Sequence, residues 1–193
     1  MGYMPVITNL AAPLLDHASR GRTDLRFEAV KFASFAEMAE ALRNGQIQAA
    51  FMIAPLSIVL HQQAVDVRVV LIGNRHESTL VVRRDLPGQS LRDLAGRTVA
   101  VPMRFSGHNL CLLRELEAAG LAGQVRIVEM NPPDMASALA TGSLDAYFVG
   151  EPFAAQTLKS GDARRLHTVE ELWEGFICNL VVVRQEMIDR DPR

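Results

Sequence analysis

The 193-residue sequence has few cysteines, little net charge and no long hydrophobic run. Cys111 and Cys178 fall in a predicted helix and a predicted strand, so we expect two buried thiols and neither a disulfide framework nor a metal motif. The net charge is −2 at pH 7, with Lys and Arg dispersed, which argues against binding to nucleic acid or to an anionic membrane. The longest apolar run, Ala49 to Leu60, is interrupted by Pro55 and is far shorter than the ~20 residues that cross a bilayer. We therefore expect a soluble globular protein that does not itself span a membrane.

Motifs of the common catalytic classes are also missing from the sequence. It contains no Gly-x-Ser-x-Gly, no Walker loop, no Gly-x-Gly-x-x-Gly after a strand, no His-Glu-x-x-His and no Cys-x-x-Cys. The sequence therefore gives no support for an enzyme, and it predicts neither a catalytic residue nor an organic cofactor.

One stretch occurs twice, 97 positions apart. The segments Ala39 to Pro55 and Ala136 to Pro152 share seven identical positions. Each copy reads as the end of a helix, a glycine that stops it, a short buried strand and a proline that opens the next helix. The same offset pairs Pro5 with Pro102, so we predict that the repeat extends to a whole α/β lobe.

Strands and helices alternate through each predicted lobe. In the first, strands are predicted over 2–6, 26–32, 49–53 and 67–72, and helices over 9–19, 34–44 and 55–63, the first of them capped by Thr8 or Asn9. In the second, strands are predicted over 98–101, 125–129, 146–149 and 165–168, and helices over 106–119, 134–141 and 152–159. This alternation predicts parallel sheets covered by helices on both faces.

The predicted fold class is α/β, with two doubly wound Rossmann-like lobes joined by a two-strand hinge. Lobe I is assigned to residues 1–83 plus 177–193 and lobe II to residues 84–176. The turn-rich segment Asp85 to Gly88 places the first crossing near Arg84, and the apolar strand over 176–184 returns the chain to lobe I. Because a further helix is expected to begin only at Gln185, we expect the closing elements of lobe I to be short or missing.

The predicted ligand site lies beyond the carboxyl ends of the strands, where helix N-termini direct backbone N–H groups outward. This rule selects the loops 5–9, 33–35, 54–57 and 73–78 in lobe I, and 102–109, 131–134 and 150–153 in lobe II. Their composition suits a small polar or anionic ligand. The candidate ligand-binding residues are Thr8, Asn9, Ser34, Phe35, Pro55, Arg104, Ser106, His108, Asn109 and Glu151.

Each chargeable candidate also has a plainer interpretation. His108 is either a ligand contact or an exposed residue in the first turn of a helix, and Arg104 is either an anion clamp or a solvated loop charge. Glu151 contacts a ligand or metal, or else stabilises a helix dipole. Phe35 either lines the cleft or packs in the core of its lobe.

The segment Ser90 to Pro102, Ser-Leu-Arg-Asp-Leu-Ala-Gly-Arg-Thr-Val-Ala-Val-Pro, resembles the interdomain signature of solute-binding proteins of ABC importers. Together with Gly45-Gln46-Ile47, Pro132-Pro133-Asp134-Met135 and Gly150-Glu151-Pro152, it makes the chain similar to the nitrate, sulfonate and bicarbonate (taurine) branch. The resemblance implies the periplasmic-binding-protein type II fold, capture of a solute between the lobes, and delivery to ABC permease subunits. It also implies a periplasmic or extracytoplasmic location.

The same resemblance bears on the ligand. Glu151 lies at the Gly-Glu-Pro position associated with a metal ion in the bicarbonate binder, which implies a Ca²⁺ ion accompanying the ligand. Phe35 stands where nitrate and bicarbonate members have a Trp, and Phe cannot donate a hydrogen bond to an oxyanion, so we expect a different solute. Two alternatives remain open on this fold: a cytosolic ligand sensor, and a pyrimidine-synthase-like or menaquinone-pathway-like enzyme.

Overall fold

The computed structural model describes residues 1–190, and the chain divides into two units. Unit 1 comprises Met1–Arg75 and the chain from Ile177 onward, whereas unit 2 comprises His76–Phe176. The strands in chain order are β1 (Gly2–Tyr3), β2 (Val30–Lys31), β3 (Ala49–Ile53), β4 (Val67–Arg75), β5 (Ser78–Arg83), β6 (Thr98–Val101), β7 (Arg126–Glu129), β8 (Ala146–Gly150), β9 (Ala163–Thr168) and β10 (Ile177–Arg184). The α-helices are α1 (Ala11–Ser19), α2 (Phe35–Arg43), α3 (Ala54–Gln62), α4 (Gly107–Ala118), α5 (Pro132–Ala140), α6 (Phe153–Ser160), α7 (Val169–Leu172) and α8 (Gln185–Arg190). Short 3₁₀ helices cover Ile7–Asn9 and Leu91–Leu94.

The two units are built on sheets with the same plan. Sheet 1 has the strand order β2-β1-β3-β10-β4, and sheet 2 has the order β7-β6-β8-β5-β9. In each sheet the first three strands are parallel and the fourth runs antiparallel to both of its neighbours. A shift of 97 residues places β3 on β8 and α2 on α5, residue for residue. The predicted internal repeat is therefore confirmed as two equivalent α/β units.

The four strands predicted by alternation in each lobe run parallel to one another, but each sheet also contains one inserted strand that runs in the opposite direction. β10 lies between β3 and β4 in sheet 1, and β5 lies between β8 and β9 in sheet 2. Both inserted strands are apolar and buried along their length. Apolar strands covered on both faces are typical of a sheet centre, so alternation along the chain alone could not reveal that two central strands run in the opposite direction.

The boundary predicted near Arg84 was also wrong. Residues 76–83 belong to unit 2, because Leu80, Val81 and Val82 of β5 are completely or almost completely buried within sheet 2. The chain passes from unit 1 to unit 2 between Arg75 and His76. The turn-rich segment after Arg83 instead leads to the 3₁₀ helix at Leu91–Leu94, which Ser90 and Asp93 cap reciprocally.

Strand β2 and helix α1 of unit 1 are both shorter than predicted. Ser19 Oγ accepts a hydrogen bond from the Phe27 N–H, and Asp16 Oδ2 accepts one from the Ala29 N–H. These N–H groups are bonded to side chains of α1, so only Val30–Lys31 joins the sheet as β2. The N-terminal cap predicted for the first helix at Thr8 or Asn9 is absent as well, since α1 begins after Leu10 without a side-chain cap.

Strand β4 carries an exposed apolar segment at the edge of sheet 1. Val69, Val70, Leu71 and Ile72 are each 42–60% exposed. Beside β4 lies an apolar cavity of about 490 Å³, lined in part by Leu15 and Phe51. The described chain therefore leaves this edge of unit 1 uncovered. Within residues 1–190, none of the helices has the length and apolarity needed to traverse a bilayer.

Candidate functional site

The carboxyl edge of sheet 2 gathers polar side chains from three connections. Strand β8 ends at Gly150, and β5 begins beside it because Ser78 is the register partner of Gly150. The N-terminus of α4 follows β6 at the same edge, and α6 follows β8. We call this group the unit 2 polar edge; it consists of Glu77, Ser78, Thr79, His108 and Glu151.

Ser106 and Asn109 build the start of α4. The Ser106 hydroxyl accepts a hydrogen bond from the Asn109 N–H at 3.1 Å, which satisfies one of the unpaired donors of the first turn. The Asn109 side chain donates to the Arg104 carbonyl at 2.9 Å. Both residues are buried, so their side chains fix the loop that presents His108.

His108 is buried at the centre of the polar edge, where only 4% of its surface is exposed. Its Nε2 lies 2.8 Å from the Ser78 hydroxyl, and its ring packs edge-on against Phe148 with the centroids 5.2 Å apart. The other ring nitrogen, Nδ1, is buried without a hydrogen-bond partner. Burial lowers the pKa of His108 to about 4, so the imidazole is neutral at pH 7.

Glu151 has both carboxylate oxygens engaged. Oε1 accepts a hydrogen bond from the Thr79 hydroxyl at 3.3 Å, and Oε2 accepts one from the Ala155 N–H at 2.7 Å. The second bond caps the first turn of α6, where a negative charge also interacts favourably with the helix dipole. The structure therefore gives Glu151 the helix-stabilising role, while its predicted contact with a ligand stays a prediction.

Glu77 lies beside Glu151 in a different environment. Its backbone carbonyl accepts the Glu151 N–H at 3.3 Å, but both carboxylate oxygens are buried without a hydrogen-bond partner. Burial raises the pKa of Glu77 to about 7; the Glu151 backbone N–H opposes this shift, and the Glu151 charge adds to it. His76 and Glu77 also have φ values of 59° and 64°, in the left-handed region that side chains other than glycine rarely adopt.

The remaining predicted residue of unit 2, Arg104, is exposed. Its guanidinium lies 4.7 Å from the centroid of the Phe105 ring. Its backbone N–H donates to Glu129 Oε2 at 3.0 Å. These contacts of Arg104 involve no residue of the polar edge. The anion clamp therefore stays a prediction.

In unit 1, the predicted residues Thr8 and Asn9 hold the connection between β1 and α1. Asn9 Oδ1 accepts the Met4 N–H at 2.9 Å, and its Nδ2 donates to the Thr8 hydroxyl at 3.2 Å. Asn179 Nδ2 in turn donates to the Thr8 carbonyl at 3.2 Å. Asn9 is almost fully buried, so its side chain stabilises this loop whether or not a ligand is present.

The other predicted residues of unit 1 lie at helix starts. Ser34 caps α2 by accepting the Glu37 N–H at 3.1 Å. Phe35 is buried with the core residues of the unit, which supports the core-packing interpretation. Pro55 occupies the first turn of α3, where its missing N–H costs no hydrogen bond.

The carboxyl edge of sheet 1 contains a polar residue that the sequence did not single out. Asn179 on β10 is 1% exposed, and its Oδ1 is buried without a partner. A Cβ atom at Gly73 would lie 2.4 Å from that oxygen, so a side chain at position 73 would force the Asn179 amide to move. Asn179 pairs with Ile53 as Ser78 pairs with Gly150, and the 97-residue offset relates Ile53 to Gly150. Each unit thus places one buried polar side chain at the equivalent point of its sheet.

Glu77, Ser78 and Thr79 were also missed as individual residues, although residues 73–78 were among the predicted loops. The sequence carries a signal for Ser78, Thr79 and Asn179, but not for Glu77. Ser78 and Thr79 open an otherwise apolar strand, and Asn179 is the one amide within the apolar run from Ile177 to Val183.

The calcium ion predicted at Glu151 would find few oxygen ligands among the acidic side chains of the polar edge. Ca²⁺ takes six to eight oxygen ligands, and both oxygens of Glu151 are already hydrogen-bonded. Within residues 1–190, the side chains of His, Cys, Asp and Glu form no group of three or more that could hold a metal ion. The calcium ion at Glu151 therefore stays a prediction.

Comparison with known proteins identifies a family for this chain. The model of the NMT1-like family matches residues 2–193. The taurine-binding periplasmic protein of Escherichia coli K12 is 30% identical over 168 residues, which are 84% of this chain and 51% of the relative. A putative aliphatic sulfonates-binding protein of the same strain is 30% identical over 144 residues, 71% of this chain and 44% of the relative. The chain thus spans about half the length of these curated relatives.

Solved structures show the same fold. A ligand-binding component of an ABC-type import system from Staphylococcus aureus superposes with a TM-score of 0.87 at 24% identity, covering 99% of this chain and 67% of that one. The alkanesulfonate-binding protein SsuA of Xanthomonas axonopodis pv. citri superposes with a TM-score of 0.81 at 21% identity, covering 98% and 66%. The type II periplasmic-binding-protein fold predicted from the sequence is therefore confirmed.

Proposed function

Because the chain belongs to the NMT1-like family, we propose that it binds a small polar solute without chemical conversion and delivers it to an ABC importer. The relatives with a curated name include binding proteins for taurine and aliphatic sulfonates. The periplasmic taurine-binding relative supports a location outside the cytoplasm, which is part of the proposal, as are the permease subunits as partners. Capture between two closing lobes stays a prediction.

The observation that carries the proposal is the set of buried polar atoms at the unit 2 polar edge that have no protein partner. Buried donors and acceptors in folded proteins are almost always paired. Here Glu77 and His108 each present unpartnered atoms at the end of the sheet where α/β proteins bind ligands. A bound solute would supply the missing partners.

The geometry of His108 argues against hydrolytic chemistry at this edge. Its contact with Ser78 places a hydroxyl and an imidazole 2.8 Å apart, as in a nucleophile and base pair. In such enzymes a third group orients the imidazole, whereas Nδ1 of His108 has no partner. A pKa of about 4 also makes His108 a weak base at neutral pH. A binding role fits these properties better.

A thermal-shift screen tests the proposal directly. The purified chain is heated with taurine, aliphatic sulfonates, nitrate, nitrite, bicarbonate, pyrimidines or calcium. A ligand present at 100 times its Kd adds ~2.7 kcal/mol of stability, a shift of several degrees for a protein of this size. We expect at least one solute to give such a shift.

The variant His108→Gln should reduce that shift, because Gln fills similar space but does not reproduce both ring nitrogens. His17→Gln is the matched control, since His17 is exposed on α1 in unit 1. A flat screen, or equal shifts in wild type and His108→Gln, would contradict the proposed function or the placement of the site, respectively.

A further inference from the structure

The Ser78 hydroxyl has a single hydrogen-bond partner within residues 1–190. Ser78 opens β5 and is 2% exposed, and its Oγ lies 2.8 Å from Nε2 of His108. A serine hydroxyl has one proton to donate and two lone pairs with which to accept. The Ser78 proton can therefore take part in a hydrogen bond only if His108 Nε2 accepts it.

The direction of this hydrogen bond follows from the chemistry of the two groups. Burial lowers the pKa of His108 to about 4, so at pH 7 one ring nitrogen carries a proton and the other accepts. An imidazole nitrogen is a far stronger base than a hydroxyl oxygen, which makes it the better acceptor of the pair. The separation of 2.8 Å is also shorter than the roughly 2.9–3.0 Å typical of an N–H group that donates to an oxygen. Ser78 is therefore the donor and Nε2 the acceptor.

The His108 ring is held in one orientation by its neighbours. It packs edge-on against Phe148 with the centroids 5.2 Å apart, and its centroid lies 5.9 Å from that of Phe176. The first turn of α4, which carries His108, is fixed by the bond from the Asn109 N–H to Ser106 Oγ. Because the ring is packed on two sides and almost fully buried, Nε2 stays at Ser78, while Nδ1 is left without a protein partner.

The internal repeat offers a comparison within the same molecule. Asn179 occupies the matching point of sheet 1, and its Nδ2 donates to the Thr8 carbonyl in the connection that leads to α1. Ser78 makes the corresponding contact at the start of α4. The partner is a main-chain carbonyl in unit 1 and the imidazole of His108 in unit 2. The same tie between a strand and a helix start therefore sets the state of a titratable ring in unit 2.

We propose that Ser78 is a positioning residue of the candidate site: its hydroxyl donates to His108 Nε2 and thereby holds the imidazole as the tautomer with its proton on Nδ1. His108 then presents one N–H donor that no group within residues 1–190 accepts. An acceptor atom of the solute would complete both donors, whereas a donor atom placed at Nδ1 would leave the Ser78 proton unpaired. This consequence for binding rests on the proposed solute-binding function, while the tautomer itself requires no ligand.

Nitrogen-15 NMR of the histidine rings reads the tautomer directly. The whole chain, labelled with nitrogen-15, is measured at pH 7 without ligand, because the chemical shift of each ring nitrogen reports whether it carries the proton. The sequence has five histidines, and the signals that disappear in His108→Gln belong to His108. We expect the Nδ1–H tautomer of His108 to exceed the Nε2–H tautomer by about 5-fold or more, as one additional hydrogen bond allows.

Substitutions of Ser78 separate positioning from a merely structural role. Ser78→Ala should abolish the excess of the Nδ1–H tautomer, because Nε2 then loses its donor. Ser78→Thr keeps the hydroxyl in a residue that is well suited to strands and should restore the excess. Ser143→Ala is the matched control, because Ser143 is exposed in the turn before β8. A structural role alone would change the melting temperature and leave the ratio of tautomers as it is in the wild type.

The outcomes separate this proposal from the proposed function. Protonation of Nε2 in the wild type, or a ratio of tautomers that Ser78→Ala leaves unchanged, would overturn the role of Ser78 whatever the thermal-shift screen gives. If Ser78→Ala does not fold, the wild-type spectrum and Ser78→Thr still decide. A flat screen with His108 in the Nδ1–H form would overturn the binding function and leave the effect of Ser78 on the tautomer standing. An excess of Nδ1–H that is lost in Ser78→Ala and restored in Ser78→Thr supports the proposal.

Discussion

Replacing Glu77 by Gln should stabilise the ligand-free protein, and the gain should depend on pH. The pKa of the carboxyl is raised from 4.5 to about 7, mainly by burial. Below pH 4.5 the group is protonated in both the folded and the unfolded chain and costs nothing. Above pH 7 it is ionised in both, and the folded state then bears the full cost of an unpaired buried charge.

The magnitude follows from the shift. The difference between 4.5 and about 7 corresponds to about 3 kcal/mol at 1.36 kcal/mol per pKa unit. Because Glu77 is only half-buried, solvent screening reduces the expected effect to about 1–2 kcal/mol. The charge of Glu151, at the start of α6, acts in the same direction as burial and adds to this cost.

Urea unfolding at pH 5 and pH 8 checks this prediction. The gain from Glu77→Gln at pH 5 should be roughly a quarter of the gain at pH 8, because most of the cost develops between those values. Any penalty for burying the Gln amide is the same at both pH values. It therefore cancels when the gain at pH 5 is subtracted from the gain at pH 8. Glu117→Gln, a change at an exposed residue of α4, should show no such pH dependence. A gain that is equal at both pH values, or larger at pH 5, would refute the assignment of Glu77 as a buried, unpaired carboxylate.

Three further sets of substitutions test how the edges of the sheets are built. Asn9→Ala should lower the free energy of unfolding by about 1–3 kcal/mol, because the Met4 N–H loses its buried acceptor, while Asn9→Asp keeps the acceptor and should lose less in the same urea titration. Ser106→Ala should cost about 1 kcal/mol by removing the cap of α4, and Ser106→Asp should restore most of the helical circular dichroism and stability; equal losses would exclude a capping role. Gly73→Ala should lower the melting temperature through the clash with Asn179, and adding Asn179→Ala should recover part of that loss, whereas additive losses would show that the contact is not the cause.

The internal repeat made the architecture predictable from the sequence. Local signals in each copy, such as the helix-ending Gly45 and Gly142, predicted the order of strands and helices. This is possible because helix caps and buried strands have short, local sequence patterns. What the sequence could not show was the position of β5 and β10 in their sheets. Strand pairing is decided by contacts between residues far apart in the chain, so alternation alone suggested a parallel arrangement.

The candidate site was predictable by location and less so by residue. The rule for open sheets selected the loop 73–78, yet Glu77 was passed over because a glutamate in a polar loop is normally exposed. Its burial is a tertiary property that depends on β8 and the Glu151 N–H. Conversely, Asn9 and Ser106 were predicted as ligand contacts from polarity and position, and the structure shows that their side chains hold local backbone.

The antiparallel strands also have a genetic consequence. Unit 2 is continuous in sequence, and its two ends meet, since the His76 N–H donates to the Phe176 carbonyl at 3.1 Å, while Arg75 and Ile177 face each other as register partners in sheet 1. Residues 76–176 therefore interrupt unit 1 between Arg75 and Ile177, two residues that lie side by side in sheet 1. Deleting them and joining Arg75 to Ile177 through an Asn-Gly turn would close β4 and β10 into an ordinary hairpin. The chain order, β1 to β5 followed by β6 to β10, is that of a tandem duplication in which each copy's fifth strand lies in the sheet of the other copy.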